Sequence, residues 1–258
     1  LAHLKGNPEF VQPESRRNEM IGFIEAEGLQ DLNISRHGEE WGIKLPFDPE
    51  FTIYVWFDAL LTYITGIGYG DDEACFREHW PADVHFIGKD ITRFHTHIWP
   101  AMLWAAGEEA PRKVFSHGFV YVKNEEAGTV EKISKSLGNV IEPMDVISKF
   151  SAEAFRYFFL RECPFPSDGE FGWGRFAEVY NSELANNLGN LFSREMTITW
   201  KNFDGVFGGT ANKVPDAVVP GLDLALFVGA VREDVEACRY NLALQKIVQD
   251  FLTPTNQY

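Results

Sequence analysis

The stretch DVHFIGKDITRFHTHIWPAMLWAAG, Asp83 to Gly107, decides how the rest of the chain is read. It opens on DVHFIG, a short run rich in β-branched and aromatic residues of the kind that forms a buried strand in a parallel sheet, and passes directly into a helical pattern. Upstream, FTIYVWF (Phe51 to Phe57) followed by DALLTYITG repeats the order of strand then helix. Two such steps predict βαβ units, in which ligands sit beyond the carboxyl ends of the strands. The two junctions, Trp56 to Tyr63 and Gly88 to His95, are the expected place of a site.

Outward from these junctions the pattern continues. After Pro111, KVFSHGFVYV reads as another strand, KNEEAG as a turn and TVEKIS as a return strand, so the loop that follows hangs off a hairpin. PMDVISKF and SAEAFRYFFLREC read as two short helices, the second with a Ser cap and Glu153 close behind. On the amino-terminal side, Pro13 to Gly28 predicts an amphipathic helix with Met20, Phe23 and Ile24 at helical spacing. Past the Gly- and Pro-rich CPFPSDGEFGWG the patterns become long and helical, which places a boundary near Gly169.

Composition narrows the class. With 258 residues, 45% of them hydrophobic, the chain can bury a sizeable core and hold more than one folding unit. No run of about 18 apolar residues occurs, and the opening LAHLKGNPEF lacks the basic-then-apolar order of a signal peptide, so a soluble protein is expected. Cys75, Cys163 and Cys238 lie far apart with no CxxC pair, which argues against a zinc knuckle or a disulfide framework and for a reducing compartment. The net charge of -15 disfavours nucleic-acid binding through the whole surface. Any such contact is expected to be local and shaped.

The hairpin loop KISKSLGN places Lys132, Ser134, Lys135 and Ser136 within five residues, with Gly138 beyond. Flexible ammonium groups and hydroxyls can follow a phosphate whose charge moves during reaction. For such a motif in isolation, a solvated surface turn is the commoner outcome.

It is not isolated. KISKSLGN is similar to the KMSKS motif of class I aminoacyl-tRNA synthetases, with Ile133 in place of Met. NISRHGEEWGIKLP, YVWFDALLTYITG, HFIGKDITRFHTHIWPAMLWAAG, HGFV and SAEAFRYFFLRE resemble successive blocks of the methionyl-tRNA synthetases, in that family's order and over essentially the whole chain. The resemblance implies an α/β, Rossmann-like catalytic half with a parallel sheet, followed by an all-α anticodon-binding helix bundle. In these terms residues 1–45 are the end of the connective insertion, 46–110 the second half of the catalytic domain, 111–168 the region of the KMSKS loop and stem contact, and 169–258 the anticodon-binding domain, incomplete.

The resemblance also assigns roles. Trp56, Ala59, Leu60 and Tyr63 share a helical face, and with Ile91, Phe94 and His95 they would wall a methionine side chain, although an aromatic stripe at this spacing is more often plain core. Leu60 stands where part of the family has Pro. Asp90 reads by itself as a helix N-cap and, through the resemblance, as partner of the substrate ammonium; both can hold. Adenosine is expected against Gly88, His117, Gly118 and Val120, with Mg²⁺ accompanying ATP and no zinc held by this chain. Asn190 and Arg194, at i and i+4, would contact anticodon bases of tRNA(Met); read alone they are a solvated polar stripe.

The implied reaction is ATP-dependent activation of L-methionine and its transfer to tRNA(Met). No match to the family's second ATP motif, of the HIGH type, is present, so the isolated chain is expected to be inactive without the missing amino-terminal half, whether covalent or a separate partner. The competing expectation is a catalytically silent, synthetase-like tRNA-binding module. A cytoplasmic location is expected, with an organelle as the alternative and no membrane association.

Overall fold

The computed structural model describes residues 1–38, 40–125, 127–133, 140–206 and 221–257. They fall into two units, Leu1–His117 and Gly118–Tyr258.

In the first unit, α1 (Ala2–Gly6) leads into β1 (Val11–Gln12), and α2 (Glu14–Glu27) follows where the sequence predicts a helix. Pro13 holds its N-cap position, and Gly28 ends it with φ of 71°, a left-handed conformation that glycine adopts without a Cβ clash. A small antiparallel sheet comes next: β2 (Ser35–His37), β3 (Lys44–Leu45) and β4 (Asp48–Ile53), in the order β2-β4-β3. This corrects the buried parallel strand expected over 51–57. The strand ends at Ile53 with antiparallel partners, and Val55, Trp56 and Phe57 already belong to α3 (Val55–Thr65). A short apolar run has no period of its own, so the first turn of a half-buried helix looks the same in sequence.

α4 (Glu73–His79) is capped by Asp72, whose carboxylate accepts the Cys75 N–H at 3.1 Å. β5 (His85–Gly88) then forms as expected. The helix expected after it is assembled in three pieces: a 3₁₀ turn (Lys89–Ile91), a π-helical turn (Phe94–Ile98) and α5 (Trp99–Ala105). Pro100 has no N–H to return to the Thr96 carbonyl, and the Trp99 N–H reaches five residues back to Phe94. β6 (Val114–His117) closes a parallel sheet of order β1-β6-β5. Leu4, Phe10, Val11, Met20, Ile87 and Val114 fill one core cluster at the sheet. A second joins α3, α4 and α5 through Leu60, Ile64, Phe76, Trp80, Trp99 and Leu103. Each such side chain contributes roughly 1.5–3 kcal/mol by leaving water.

The second unit starts with β7 (Val120–Asn124), which pairs antiparallel with β8 (Thr129–Lys132) in the expected hairpin. The single strand read over KVFSHGFVYV is two strands in different sheets, parted at Gly118 and Phe119. α6 (Pro143–Lys149) and α7 (Ala152–Glu162) form as predicted, and the Ser151 hydroxyl accepts the Ala154 N–H at 3.0 Å. β9 (Gly169–Phe171) joins β7 in parallel, giving the order β8-β7-β9. Helix dominates beyond it: α8 (Trp173–Val179), a π-helical stretch (Tyr180–Gly189) and α9 (Asn190–Phe203), then α10 (Leu224–Glu236), α11 (Tyr240–Lys246), a π-helical turn (Ile247–Leu252) and α12 (Thr253–Gln257). Val146, Ala154, Phe158, Phe171, Phe176 and Val179 form the core of this unit. No helix among the described residues is long and apolar enough to cross a membrane.

Candidate active site

Within the first unit, α3 faces the turns that follow β5, and four side chains singled out in the sequence meet there. Trp56 lies flat on Phe94, with ring centroids 4.2 Å apart and planes 15° from parallel. The Tyr63 hydroxyl and His95 Nε2 are 2.9 Å apart, and His95 Nδ1 lies 3.0 Å from the Ile91 carbonyl. A carbonyl can only accept, so the Nδ1–H donates to it. Nε2 of the neutral ring is then left to accept the Tyr63 O–H. His95 is buried, and burial lowers its pKa against the smaller opposing effect of the Ile91 carbonyl. Burial likewise raises the pKa of the Tyr63 phenol. Both groups are therefore neutral near pH 7, and the site presents rings and a polarised hydroxyl rather than a charge.

The remaining residues of this group occupy graded positions. Ala59 and Ile91 are half-buried, whereas Leu60 is only 1% exposed and belongs to the core behind the aromatic wall. Gly88, not Asp90, stands at the N-cap of the 3₁₀ turn. Asp90 lies within the first turn with its side chain exposed, where the positive end of the helical dipoles favours a carboxylate and a cation can reach it. Strand register pairs Gly88 with His117, so both lie at the carboxyl end of the parallel sheet.

Three aromatic groups around the site carried no sequence expectation. His85 opens β5 and is 6% exposed; Trp99 Nε1–H donates to its Nε2 at 3.2 Å. Its ring lies 4.3 Å from that of Tyr63, and Trp80 packs 5.9 Å away on another side. Burial, with the neighbouring His95, pushes the His85 pKa down to about 4. The available signal was alternation: His85 and Ile87 point to one side of a strand whose neighbour Phe86 is exposed.

In the second unit, Gly118 has a packing reason of its own. Its N–H donates to the Phe165 carbonyl, and a Cβ there would fall inside contact distance of the Ser167 carbonyl group. Val120 starts β7 and is half-buried; Lys132 ends β8, exposed, with Nζ 5.7 Å from the Phe119 ring centroid. Ser134, Lys135 and Ser136 lie outside the described residues. Asn190 and Arg194 are exposed on α9, and Arg194 Nη1 donates to the Asn256 carbonyl at 2.6 Å. Among the described residues no three His, Cys, Asp or Glu side chains are grouped to hold a metal ion. An apolar cleft of about 550 Å³ lies on another face of α3, lined by Phe57 and Leu61, and contains none of Trp56, Tyr63 or His95.

The family model described as tRNA synthetases class I (M) matches residues 3–196, which include every residue of this aromatic site. The chain belongs to the class I methionyl-tRNA synthetase family. It is 53% identical over 207 residues to a methionine–tRNA ligase of Caldanaerobacter subterraneus subsp. tengcongensis, covering 80% of this chain and 31% of the relative. It is 45% identical over 251 residues to that of Clostridium perfringens, covering 96% and 38%. Among solved structures, it resembles the Mycobacterium tuberculosis methionyl-tRNA synthetase bound by methionyl-adenylate with a TM-score of 0.86 and 41% identity, over 100% of this chain and 49% of that one. The ligand-free form of the same enzyme gives 0.81 at 38% identity. The mixed α/β fold with its parallel three-stranded sheet is thus that of the methionyl-tRNA synthetases. The chain spans between about a third and a half of the length of these relatives.

Proposed function

We propose that this chain supplies the carboxyl-terminal part of a methionine–tRNA ligase, which activates L-methionine with ATP and transfers it to tRNA(Met). The observation that carries the reading is the neutral Tyr63–His95 pair beside the stacked Trp56 and Phe94. It is supported by the likeness to a synthetase that binds methionyl-adenylate. Polarizable sulfur packs favourably against aromatic rings, and a thioether can lie against them without meeting a charge. Trp56, Ala59, Tyr63, Ile91, Phe94 and His95 enclose the methionine side chain, with Leu60 shaping the wall from behind. Asp90 receives the α-ammonium, a charge-assisted contact of roughly 1.5–3 kcal/mol.

Gly88, His117, Gly118 and Val120 accommodate adenosine. The methionine carboxylate oxygen attacks the α-phosphorus, the bond from that phosphorus to the bridging oxygen breaks, and pyrophosphate departs with the electron pair. Lys132, Ser134, Lys135 and Ser136 follow the charge as it moves onto the leaving group; one such donor is worth about 2.7–4 kcal/mol of barrier. A hydroxyl of the terminal tRNA adenosine then attacks the activated carbonyl, loses its proton and releases AMP. Magnesium would enter with ATP, where it would neutralise phosphate charge. Residues 169–258 belong to an anticodon-binding helix bundle in which exposed Asn190 and Arg194 hydrogen-bond to splayed bases.

The test is methionine-dependent ATP–pyrophosphate exchange, with this chain alone and then with a polypeptide carrying the remaining part of the relatives' catalytic domain. Exchange in the mixture only, lost with Lys135→Ala, is the expected result. No exchange from a demonstrably folded complex would instead favour a silent tRNA-binding module.

A further inference from the structure

We infer that His85 is a positioning residue of this site: its imidazole holds the Tyr63 ring where the hydroxyl meets His95 Nε2. The consequence for methionine rests on the reading above, whereas the positioning itself rests on geometry within the first unit.

The argument starts from the donor. An indole N–H can only donate, so Trp99 Nε1–H fixes His85 Nε2 as an acceptor and places the imidazole proton on Nδ1. Tautomer and ring orientation are thereby set from the core side, because Trp99 is completely buried. The centroid of the fixed ring lies 4.3 Å from that of Tyr63, with the planes 39° apart, closer than Trp99 at 6.0 Å or His95 at 5.6 Å. Tyr63 itself is 37% exposed, so it is not held by packing on every side. Helical backbone restricts the first side-chain torsion of Tyr63 but leaves the second broad, so the plane of the ring is decided by what it rests on. His85 provides that support, and the hydroxyl of the supported ring reaches His95 at 2.9 Å. The titratable groups facing His85 are Tyr63 from α3 and His95 from the π-helical turn.

Two properties of the imidazole are separable. His85→Gln keeps an acceptor for Trp99 but removes the ring beneath Tyr63; His85→Phe keeps a ring but removes the acceptor. In ¹⁵N-labelled chain, the His95 Nε2 resonance reports the Tyr63 bond, and Tyr63→Phe supplies the value without it. Both His85 variants are expected to move the resonance towards that value while circular dichroism shows the native fold. An unmoved resonance in a folded variant would overturn the inference. Should either variant fail to fold, His85→Asn, smaller and polar, serves in its place and is read the same way. In the exchange-competent complex, His85→Gln is expected to raise KM for methionine about tenfold with kcat within about twofold, a split that a global loss of stability does not produce. A fall in kcat with KM unchanged would count against it. Absence of exchange in the unaltered complex would defeat the methionine reading, yet the resonance of His95 would still decide the positioning.

Discussion

Tyr63, His95 and His85 show what a single residue type reveals in sequence and what it does not. His95 could be marked because it follows a strand of the parallel sheet, where ligands gather, and Tyr63 because it shares a helical face with Trp56 and Ala59, although the strand before that helix is antiparallel. His85 could not, because a lone histidine in an apolar strand does not state which rings will surround it. Its burial has a measurable consequence. The folded-state pKa of about 4 lies below the ordinary value of 6.5, so between pH 6.5 and 4 the unfolded chain binds more protons and stability falls as the pH falls. The shift corresponds to about 3 kcal/mol, fully present above pH 6.5. Burial lowers His95 and His97 in the same direction. Urea unfolding followed by tryptophan fluorescence is expected to show a lower midpoint at pH 4.5 than at pH 7, with a smaller difference in His85→Phe. Equal differences in the two proteins would contradict this assignment.

At the scale of elements, the helices over 14–27, 143–149 and 152–162 were legible because each carries its own punctuation: Pro13 before and Gly28 after the first, Pro143 at the start of the second, Ser151 capping the third. β4 and β7 were misread for a common reason. Apolar runs over 51–57 and 113–122 do not encode where a strand stops, and the stops are set by tertiary partners. Gly118 marks the second break. HGFV by itself reads as plain strand, and the structure shows that a Cβ at Gly118 would meet the backbone around Ser167. Gly118→Ala is expected to destabilise the second unit by about 1–3 kcal/mol, as overpacking does. Hydrogen exchange at the Phe119 and Gly169 amides, which bond to Asp168 and Phe119 respectively, should accelerate. Unchanged protection would show that the 165–169 segment yields without cost.

For the whole molecule, the order of motifs carried more than any one of them. KISKS alone is compatible with a surface turn; preceded by the two junction blocks it implies a synthetase, and the family model covering residues 3–196 agrees. The chain spans half or less of the length of these relatives. The central claim is that the Trp56, Tyr63, Phe94 and His95 surface receives the methionine side chain. Chemical-shift mapping tests it most directly: a non-hydrolysable methionyl-adenylate analogue is added to the isotope-labelled chain in complex with the remaining part of the catalytic domain. The account predicts the largest perturbations at the Trp56 indole, the Tyr63 ring and His95 Nε2. Saturable binding that leaves these resonances in place and instead moves those of Phe57, Leu61 and Met102 would contradict it.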